Sequence, residues 1–412
     1  MLFRSALADA ALAVFADPAR ARQMGARGRA HARARYAWDA CAASMAAWYG
    51  EAAARPRPAV VVTPGLTGAD GIAVLSRLAA RALAPSRVLS LGDAPGSEPG
   101  EGIGLAGAGG SKPAMLRAAL RAARSVGAPA GVLSLHLRLG PVARLVARGR
   151  APLASVLVGI ESWRPLRILE RRALERADRV LAISAHTLRR FREANPSLAA
   201  LEAAVCHLGL PDAPGLPADA AAADPSPGFA LIVGRLAAAE RYKGHDLLLD
   251  LWPRLLAQCP EARLVAAGDG DDRPRLDARA AALGGAVRFA GRVTDEALAR
   301  LYRDCAFFVM PSRDEGFGFV FLEAMRAGRA CVGAPGSAAE IIEDGVTGFI
   351  VDPGDAEQTL KALVRLFQEP ALARRMGQAG RRRFAESFTE EAFRGRLAAC
   401  LPFAGRRQSR AP

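Results

Sequence analysis

From residue 59 onward the chain alternates short apolar runs with longer stretches of helical periodicity, and that rhythm admits few folds. AVVVT (59–63), RVLSL (87–91), GVLSL (131–135), ASVLV (154–158) and RVLAI (179–183) have the length and composition of buried strands. Helical stretches at 71–83, 113–125, 165–176 and 186–194 lie between them. Strands separated in this way are parallel βαβ units, because a parallel pair needs a crossover long enough to hold a helix. A stretch rich in Pro, Ala and Asp, 211–228, breaks the rhythm, which restarts at FALIV (229–233). It continues through ARLVAA (262–267), AVRFA (286–290), CAFFVM (305–310) and ACVGA (330–334), with helices near 245–258, 272–283, 295–303, 318–327 and 356–368. The expectation is an α/β protein of two doubly wound domains facing across a cleft, 59–210 and 229–385, joined by a linker over 211–228. A terminal helix over 386–403 is expected to pack back on the first domain, ahead of a basic tail over 404–412. Ligands of such sheets sit beyond the carboxyl ends of the strands, so chemistry is sought in the loops that follow them.

Composition supports this and removes alternatives. A chain of 412 residues, 51% hydrophobic and 24% charged, can bury two cores and is not a disordered polymer. Cys41, Cys206, Cys259, Cys305, Cys331 and Cys400 are scattered, which fits reduced thiols in a cytoplasmic protein rather than a disulfide framework or a zinc site. The net charge of +15 suggests nucleic acid, but the basic residues are almost all Arg and are spread along an Ala-rich chain without a recognition motif, so no nucleic-acid partner is expected. No apolar run reaches the ~20 residues of a spanning helix. The opening MLFRSALADAALAVFADP is interrupted by Asp9 and reads as an amphipathic helix rather than a signal peptide.

The two ends of the chain repeat each other. Residues 12–38 match 364–390 without a gap: Phe15, Pro18, Arg22, Met24, Gly25, Gly28, Arg29 and Tyr36 face Phe367, Pro370, Arg374, Met376, Gly377, Gly380, Arg381 and Phe388. Two copies so far apart do not make a solenoid. The first 58 residues are therefore expected to be a helical extension resembling a detached copy of the C-terminal element, with GEAAARPRP (50–58) as its linker.

Three clusters after strands carry candidate chemistry. In VGRLAAAERYKG (233–244), Gly234 permits a tight turn, and Arg235 and Lys243 bring two cations to one sheet edge, either as solvated charges or as a clamp for a diphosphate. In AAGDGDD (266–272), Gly268 and Gly270 permit close backbone approach and the helix onset offers amides, while Asp269, Asp271 and Asp272 do not form a convincing metal site. The most informative stretch is PSRDEGFGFVFLEAMRAG (311–328). It places Glu315 in a loop held by Gly316 and Gly318, and Glu323 on the following helix, whose first amides face whatever lies between the two carboxylates. Such an arrangement suits a polyhydroxylated, anionic ligand. APGSAAEII (334–342) adds a further loop and helix start, with Gly336 and Ser337 as donors.

As an ordered set, VGRL with KG, GDG, PSRDEGFGFVFLEAMRAG and GSAAEIIEDGVTGFIVDP resemble family 4 of the retaining glycosyltransferases, of the bacterial polysaccharide and lipid-linked glycan type, over about residues 59–403. The resemblance implies the GT-B fold, two Rossmann-like domains facing a cleft, here with the added N-terminal helices. It also implies that Glu315 and Glu323 contact the sugar and ribose of a nucleotide-diphosphate sugar, and that Arg235 and Lys243 contact its phosphates. Gly234, Gly268, Gly270, Gly316, Phe317 and Gly318 fall in the matching donor-binding segments. VVVTPGLTGADGIAVLSRLA is similar to the family's opening strand, loop and helix, where amides near Gly68 and Gly71 approach the donor phosphates, and LSLHLRLGPVARL to the segment with the active-site His, here His136. VLVGIESWRPL and AISAHTLRRF resemble following segments, with His186 read as local structure at a helix start.

The reaction so implied moves a hexosyl group, mannosyl or glucosyl, from a UDP- or GDP-sugar to a hydroxyl of a glycan or lipid-linked saccharide, with retention and without cofactor or obligatory metal. Basic helices are compatible with peripheral contact at the anionic inner face of the plasma membrane. The alternatives are another GT-B enzyme, such as a phosphorylase or epimerase, and a non-catalytic nucleotide-sugar-binding protein.

Overall fold

The computed structural model describes residues 9, 10, 12–54, 57–68, 70–99, 102–125, 128–211, 228–401 and 403. All of the expected linker except Pro211 and Gly228, and the whole tail 404–412, lie outside the described residues. The chain divides into two compact units, Met1–Pro56 and Arg57–Pro412.

The second unit holds two parallel sheets. The first comprises β1 (Ala59–Thr63), β2 (Ser86–Ser90), β3 (Ile103–Gly107), β4 (Val132–Ser134), β5 (Leu153–Leu157), β6 (Arg179–Ala182) and β7 (Ala204–Val205), ordered β3-β2-β1-β4-β5-β6-β7. The second comprises β8 (Phe229–Val233), β9 (Arg263–Ala267), β10 (Val287–Gly291), β11 (Phe307–Met310), β12 (Ala330–Gly333) and β13 (Gly348–Ile350), ordered β10-β9-β8-β11-β12-β13. Every strand pairing is parallel. The central strands are buried at every position in β1, β4, β5, β11 and β12, because helices cover both faces; this is why they read as apolar runs without alternation. Ten strands stand where the apolar runs place them. Three more are too short or too rich in glycine to show that signal: β3 is IGLAG at a sheet edge, β7 has two residues and β13 three.

The last helices join the domains. The backbone around Phe388 meets the end of the first domain, with Leu210 N donating to Phe388 O at 2.9 Å and Glu390 N to Leu210 O at 2.8 Å. Helix Glu390–Cys400 then lies against helix Gly71–Ala82. Phe393 and Leu397 are buried in the core that holds Leu75, Ala79 and Leu133, and Arg81 grips Glu390 with two bonds of 2.7 and 3.0 Å.

The repeated sequence motif meets different surroundings in the two units. Helix Pro370–Ser387 packs on helix Phe319–Arg326: Met376 is 3% exposed, Phe388 2%, and a Cβ on Gly377 would collide with the carbonyl of Gly328. In the first unit, helix Pro18–Tyr36 starts after Asp17, whose carboxylate accepts the amides of Ala19 and Arg20 at 3.0 Å, and it contacts helix Trp38–Ala54. Here Met24 is 50% exposed, Tyr36 70%, and a Cβ on Gly25 or Gly28 would meet nothing within 4 Å. Fully burying each such side chain stabilises by roughly 1.5–3 kcal/mol, a contribution the second copy has and the first lacks.

Candidate active site

Counted from the start of its own domain, each sheet has the order 3-2-1-4-5-6, extended by one strand in the first. Crossovers leave the first and fourth strands in opposite directions, which opens a crevice at their carboxyl ends. In the first domain the loop after β1 carries Gly68 and leads to Gly71, the first residue of helix Gly71–Ala82, and the segment after β4 carries His136. In the second they follow β8 and β11 and carry Gly234, Arg235, Lys243 and Glu315. A separate cavity of about 240 Å³, lined by Gly228, Cys259, Ala262, Ala306 and Phe367, opens at the opposite, amino-terminal edge of the second sheet and contains none of the candidate residues.

The cations after β8 are organised by a residue that the sequence reading passes over. A 3-10 turn, Ala238–Lys243, brings Lys243 back across Gly234, where an added Cβ would stand 3.2 Å from Lys243 Cδ. Glu240 lies between the two cations, paired with Arg235 and with Lys243 Nζ at 2.9 Å. The Lys243 side chain is 14% exposed and that of Arg235 72%, so Lys243 is the fixed charge and Arg235 the one with room to swing. The turn is tied to the loop after β11 through Arg313 N, which donates to Tyr242 O at 3.0 Å. Burial, then Glu240 and Glu315, push the Tyr242 hydroxyl up to about 12. An acid between two cations in RLAAAERYKG is the signal that identifies Glu240.

Glu315 and Glu323 are both half-buried and are both held above the ordinary carboxylate range by burial. Lys243 opposes the shift at Glu315; at Glu323 the hydroxyl of Tyr302 opposes it by donating to Oε2 at 2.7 Å. Glu323 is the fifth residue of helix Phe319–Arg326. Gly318 begins that helix at φ +96°, a left-handed conformation in which a side chain would also strike the Phe321 ring, and no side chain caps the first amides.

Two of the candidate glycines and one aromatic also have packing roles. A Cβ on Gly268 would collide with the carbonyl of Gly234, and one on Gly270 with that of Leu236, so these residues let the loop after β9 pack under the loop that carries Arg235. Three amides of that turn are engaged: Gly268 N donates to Gly291 O at 2.9 Å, Asp272 N to Leu236 O at 2.9 Å and Gly270 N to Asp269 at 3.0 Å. Asp271 accepts the amide of Ala238 at 2.9 Å, and Asp272 is paired with Arg275 and Arg241, which hold its carboxyl at about 2. Phe317 is 2% exposed, its ring packed among His207, Phe319 and Phe388.

In the first domain His136 caps the 3-10 turn Leu137–Leu139, with Nδ1 accepting the amide of Arg138 at 3.1 Å. The neutral ring therefore carries its hydrogen on Nε2, which can donate to a sugar hydroxyl. Burial lowers its pKa and Glu161 opposes the shift. The Gly-rich loop is fixed from beneath by Asp93, which accepts the amides of Leu66 at 2.7 Å and Thr67 at 3.0 Å, while Arg77 donates to the carbonyls of Leu66 and Gly68 at 2.7 Å. The lobes meet at this edge: a Cβ on Gly71 would touch the Phe319 ring at 3.5 Å, and one on Gly316 would stand 2.7 Å from the carbonyl of Val158. His186 stands in the same contact, its ring edge-on to Trp163 and lining a small cavity with Glu315 and Ser337.

Residues 228–369 match the model of the family described as glycosyl transferases group 1. The chain is 33% identical over 296 residues, 66% of its length and 74% of the relative's, to the GDP-mannose-dependent alpha-(1-6)-phosphatidylinositol monomannoside mannosyltransferase of Mycolicibacterium smegmatis. It is 30% identical over 213 residues to the GDP-mannose-dependent monoacylated alpha-(1-6)-phosphatidylinositol monomannoside mannosyltransferase of Corynebacterium glutamicum, covering 48% of this chain and 55% of that one. The fold superposes on sucrose-phosphate synthase from Thermosynechococcus elongatus with a TM-score of 0.66 at 21% identity, over 84% of this chain and 98% of that one. With the two sheets, their facing switch points and a relative matched over most of its length, the chain belongs to the group 1 glycosyltransferases and is a sugar-transferring enzyme of the GT-B fold.

Proposed function

We propose that the enzyme transfers a hexosyl group, with retention at the anomeric carbon, from a GDP- or UDP-sugar to a hydroxyl of a glycan or lipid-linked saccharide. The observation that carries this reading is the clustering of Lys243, Arg235 and Glu240 with Glu315 at the switch point of the second sheet. A diphosphate leaving group gains negative charge as the glycosidic bond breaks, and fixed cations lower the barrier when they hold that charge more tightly than the ground state. His136 Nε2–H and Glu315 are the proposed contacts of the donor sugar, and Glu323 that of the ribose. The acceptor hydroxyl attacks from the face the diphosphate leaves, its proton passing to a departing phosphate oxygen. Close packing of the lobes around Gly316 and Gly71 supports exclusion of water as a competing acceptor. The names of the mycobacterial and corynebacterial relatives favour GDP-mannose as donor and a phosphatidylinositol mannoside as acceptor type. Among the described residues no helix is long and apolar enough to cross a membrane, and we place the enzyme at the cytoplasmic membrane surface through its basic helices.

The test is release of GDP or UDP from a panel of sugar nucleotides, with and without lipid-linked saccharide acceptors, and the anomeric configuration of the first product by NMR. An inverted product overturns retention; consumption of free phosphate in the reverse direction indicates a phosphorylase. Because cations of the chain itself face the diphosphate in this reading, turnover is expected to stay within about twofold after chelation and buffer exchange. Complete loss, restored specifically by Mg²⁺ or Mn²⁺, sinks the metal-free mechanism.

In this reading the first unit is a detached copy of a transferase tail. Deleting residues 1–56 is expected to leave the melting temperature of the remaining unit and its turnover nearly unchanged. A truncated enzyme that folds but loses most of its activity would show that the first unit is part of the catalytic body.

A further inference from the structure

One carboxylate of the second domain gathers three donors of the first. Glu340 stands in the short helix Ala338–Ile341 of the second domain. Its oxygens accept the amides of Ala185 and His186 at 2.8 and 2.7 Å, and Oε2 also accepts from His207 Nε2 at 2.8 Å. All three donors belong to the first domain. The first amides of helix Ala185–Ala194 have no acceptor within their own helix, and the cap residue Ser184 accepts only Thr187 N, at 3.0 Å. Glu340 thus completes the cap from the other lobe. Burial works against its charged form, but the bonds from His207 and the two amides hold its pKa below the ordinary carboxylate value.

The consequence appears at the donor loop. With the helix start fixed, Ser184 Oγ and Thr187 Oγ1 both donate to the carbonyl of Gly316, at 2.8 and 3.0 Å. Gly316 follows Glu315, whose own carbonyl accepts from Ser337 Oγ at 2.8 Å, and Ser337 opens the helix that carries Glu340. The two peptides that follow Glu315 are therefore held, one from each lobe, and both holds lead to one short helix. Arg383 anchors that helix by donating to Ile341 O at 2.8 Å and Glu340 O at 3.2 Å. The His186 ring lies 3.3 Å from where a Cβ on Gly336 would stand, so the lobes also interlock sterically at this point.

We infer that Glu340 is a positioning residue for sugar transfer. It touches no substrate; it sets the orientation of Glu315 by holding Ser184 and Thr187 on the Gly316 carbonyl, an inference that rests on Glu315 being the sugar contact. Three N–H donors converge on two oxygens, which a carboxylate satisfies and an amide, with one oxygen and an NH₂ group, does not.

The experiment compares Glu340→Gln with Thr187→Val, an isosteric change that removes one donor to Gly316 and leaves Glu340 intact. Glu340→Gln is expected to lower kcat at saturating donor by about tenfold, and Thr187→Val by about threefold. Nucleoside-diphosphate affinity by calorimetry should stay within about twofold, because Arg235, Lys243 and Glu323 are untouched. The double variant should lose less than the product of the two effects, since both act through one carbonyl. Independently of turnover, amide hydrogen exchange over 314–318 should quicken in both variants. A folded Glu340→Gln enzyme with wild-type kcat, a loss of diphosphate affinity as large as the loss of kcat, or unaltered exchange over 314–318 overturns the inference. If Glu340→Gln fails to fold, Thr187→Val decides by the same criteria. If the wild-type enzyme moves no sugar from any donor, the reading of Glu315 fails, and with it the catalytic role of Glu340, while the exchange measurement separately reports whether Glu340 orders the loop.

Discussion

Lys243→Ala is expected to lower kcat/KM by about 10²- to 10³-fold, the range seen when one fixed donor to a developing anion is removed. Lys243 is the fully placed cation of the pair: its side chain is 14% exposed, folded over Gly234 and held by Glu240. Its loss acts twice. In the proposed reading the diphosphate loses a charge partner, and Glu240 loses the cation that pairs with it. Glu315, already raised by burial and by Glu240, then loses the opposing pull of Lys243, so it becomes harder to ionise. Arg235→Ala should cost less, about tenfold, because the Arg235 side chain is 72% exposed and solvent screens it. Steady-state kinetics with the donor varied, beside melting curves that show an intact fold, provide the measurement. If Lys243→Ala folds and loses less than Arg235→Ala, the assignment of the fixed cation is wrong.

How far the sequence discloses this site depends on the range over which each residue acts. Arg235, Lys243, Glu315 and Glu323 sit in contiguous stretches after strands, where strand, turn glycine and helix start are all local signals. Asp93 and Glu340 act across 27 and 155 positions, on Leu66 and Ala185, and no local pattern marks them, because their partners are backbone amides that every residue possesses. Glu240 was within reach of a local reading, since an acid between two cations must either neutralise or organise them. Gly268, Gly270 and Phe317 show a different limit of the sequence. A glycine that admits a ligand and one that admits a neighbouring loop look the same in sequence, and an aromatic beside two glycines can fill a core as readily as a cleft. The short strands escape the sequence for a third reason: two or three residues held by pairing with a neighbour need no hydrophobic period of their own.

The two glutamates should separate by what each variant fails to bind. Glu323→Gln keeps the length of the side chain and can still accept the Tyr302 hydroxyl, but it removes the charged acceptor proposed for the ribose. It should weaken intact donor and nucleoside diphosphate alike. Glu315→Gln alters the contact nearest the sugar and should lower turnover while leaving the nucleoside diphosphate, which has no sugar, nearly as well bound. A hydrogen bond to a charged group contributes roughly 1.5–3 kcal/mol, so each effect is expected to be about ten- to a hundredfold. Both carboxyls have pKa values raised by burial, so the folded protein retains their protons at a pH where an unfolded Glu has released them. Their ionisation therefore reduces stability as pH rises through that window, and a ligand that requires the ionised form binds less well as pH falls through the raised pKa. Donor affinity should thus weaken on the acid side at a higher pH than an ordinary Glu predicts, and Glu323→Gln should abolish that limb for the nucleoside diphosphate while Glu315→Gln leaves it in place. Calorimetry of both ligands across pH, set beside single-turnover rates at saturating donor, distinguishes the roles. The assignment fails if Glu315→Gln weakens the nucleoside diphosphate as much as Glu323→Gln does, or if either folded variant binds and transfers as the wild type does.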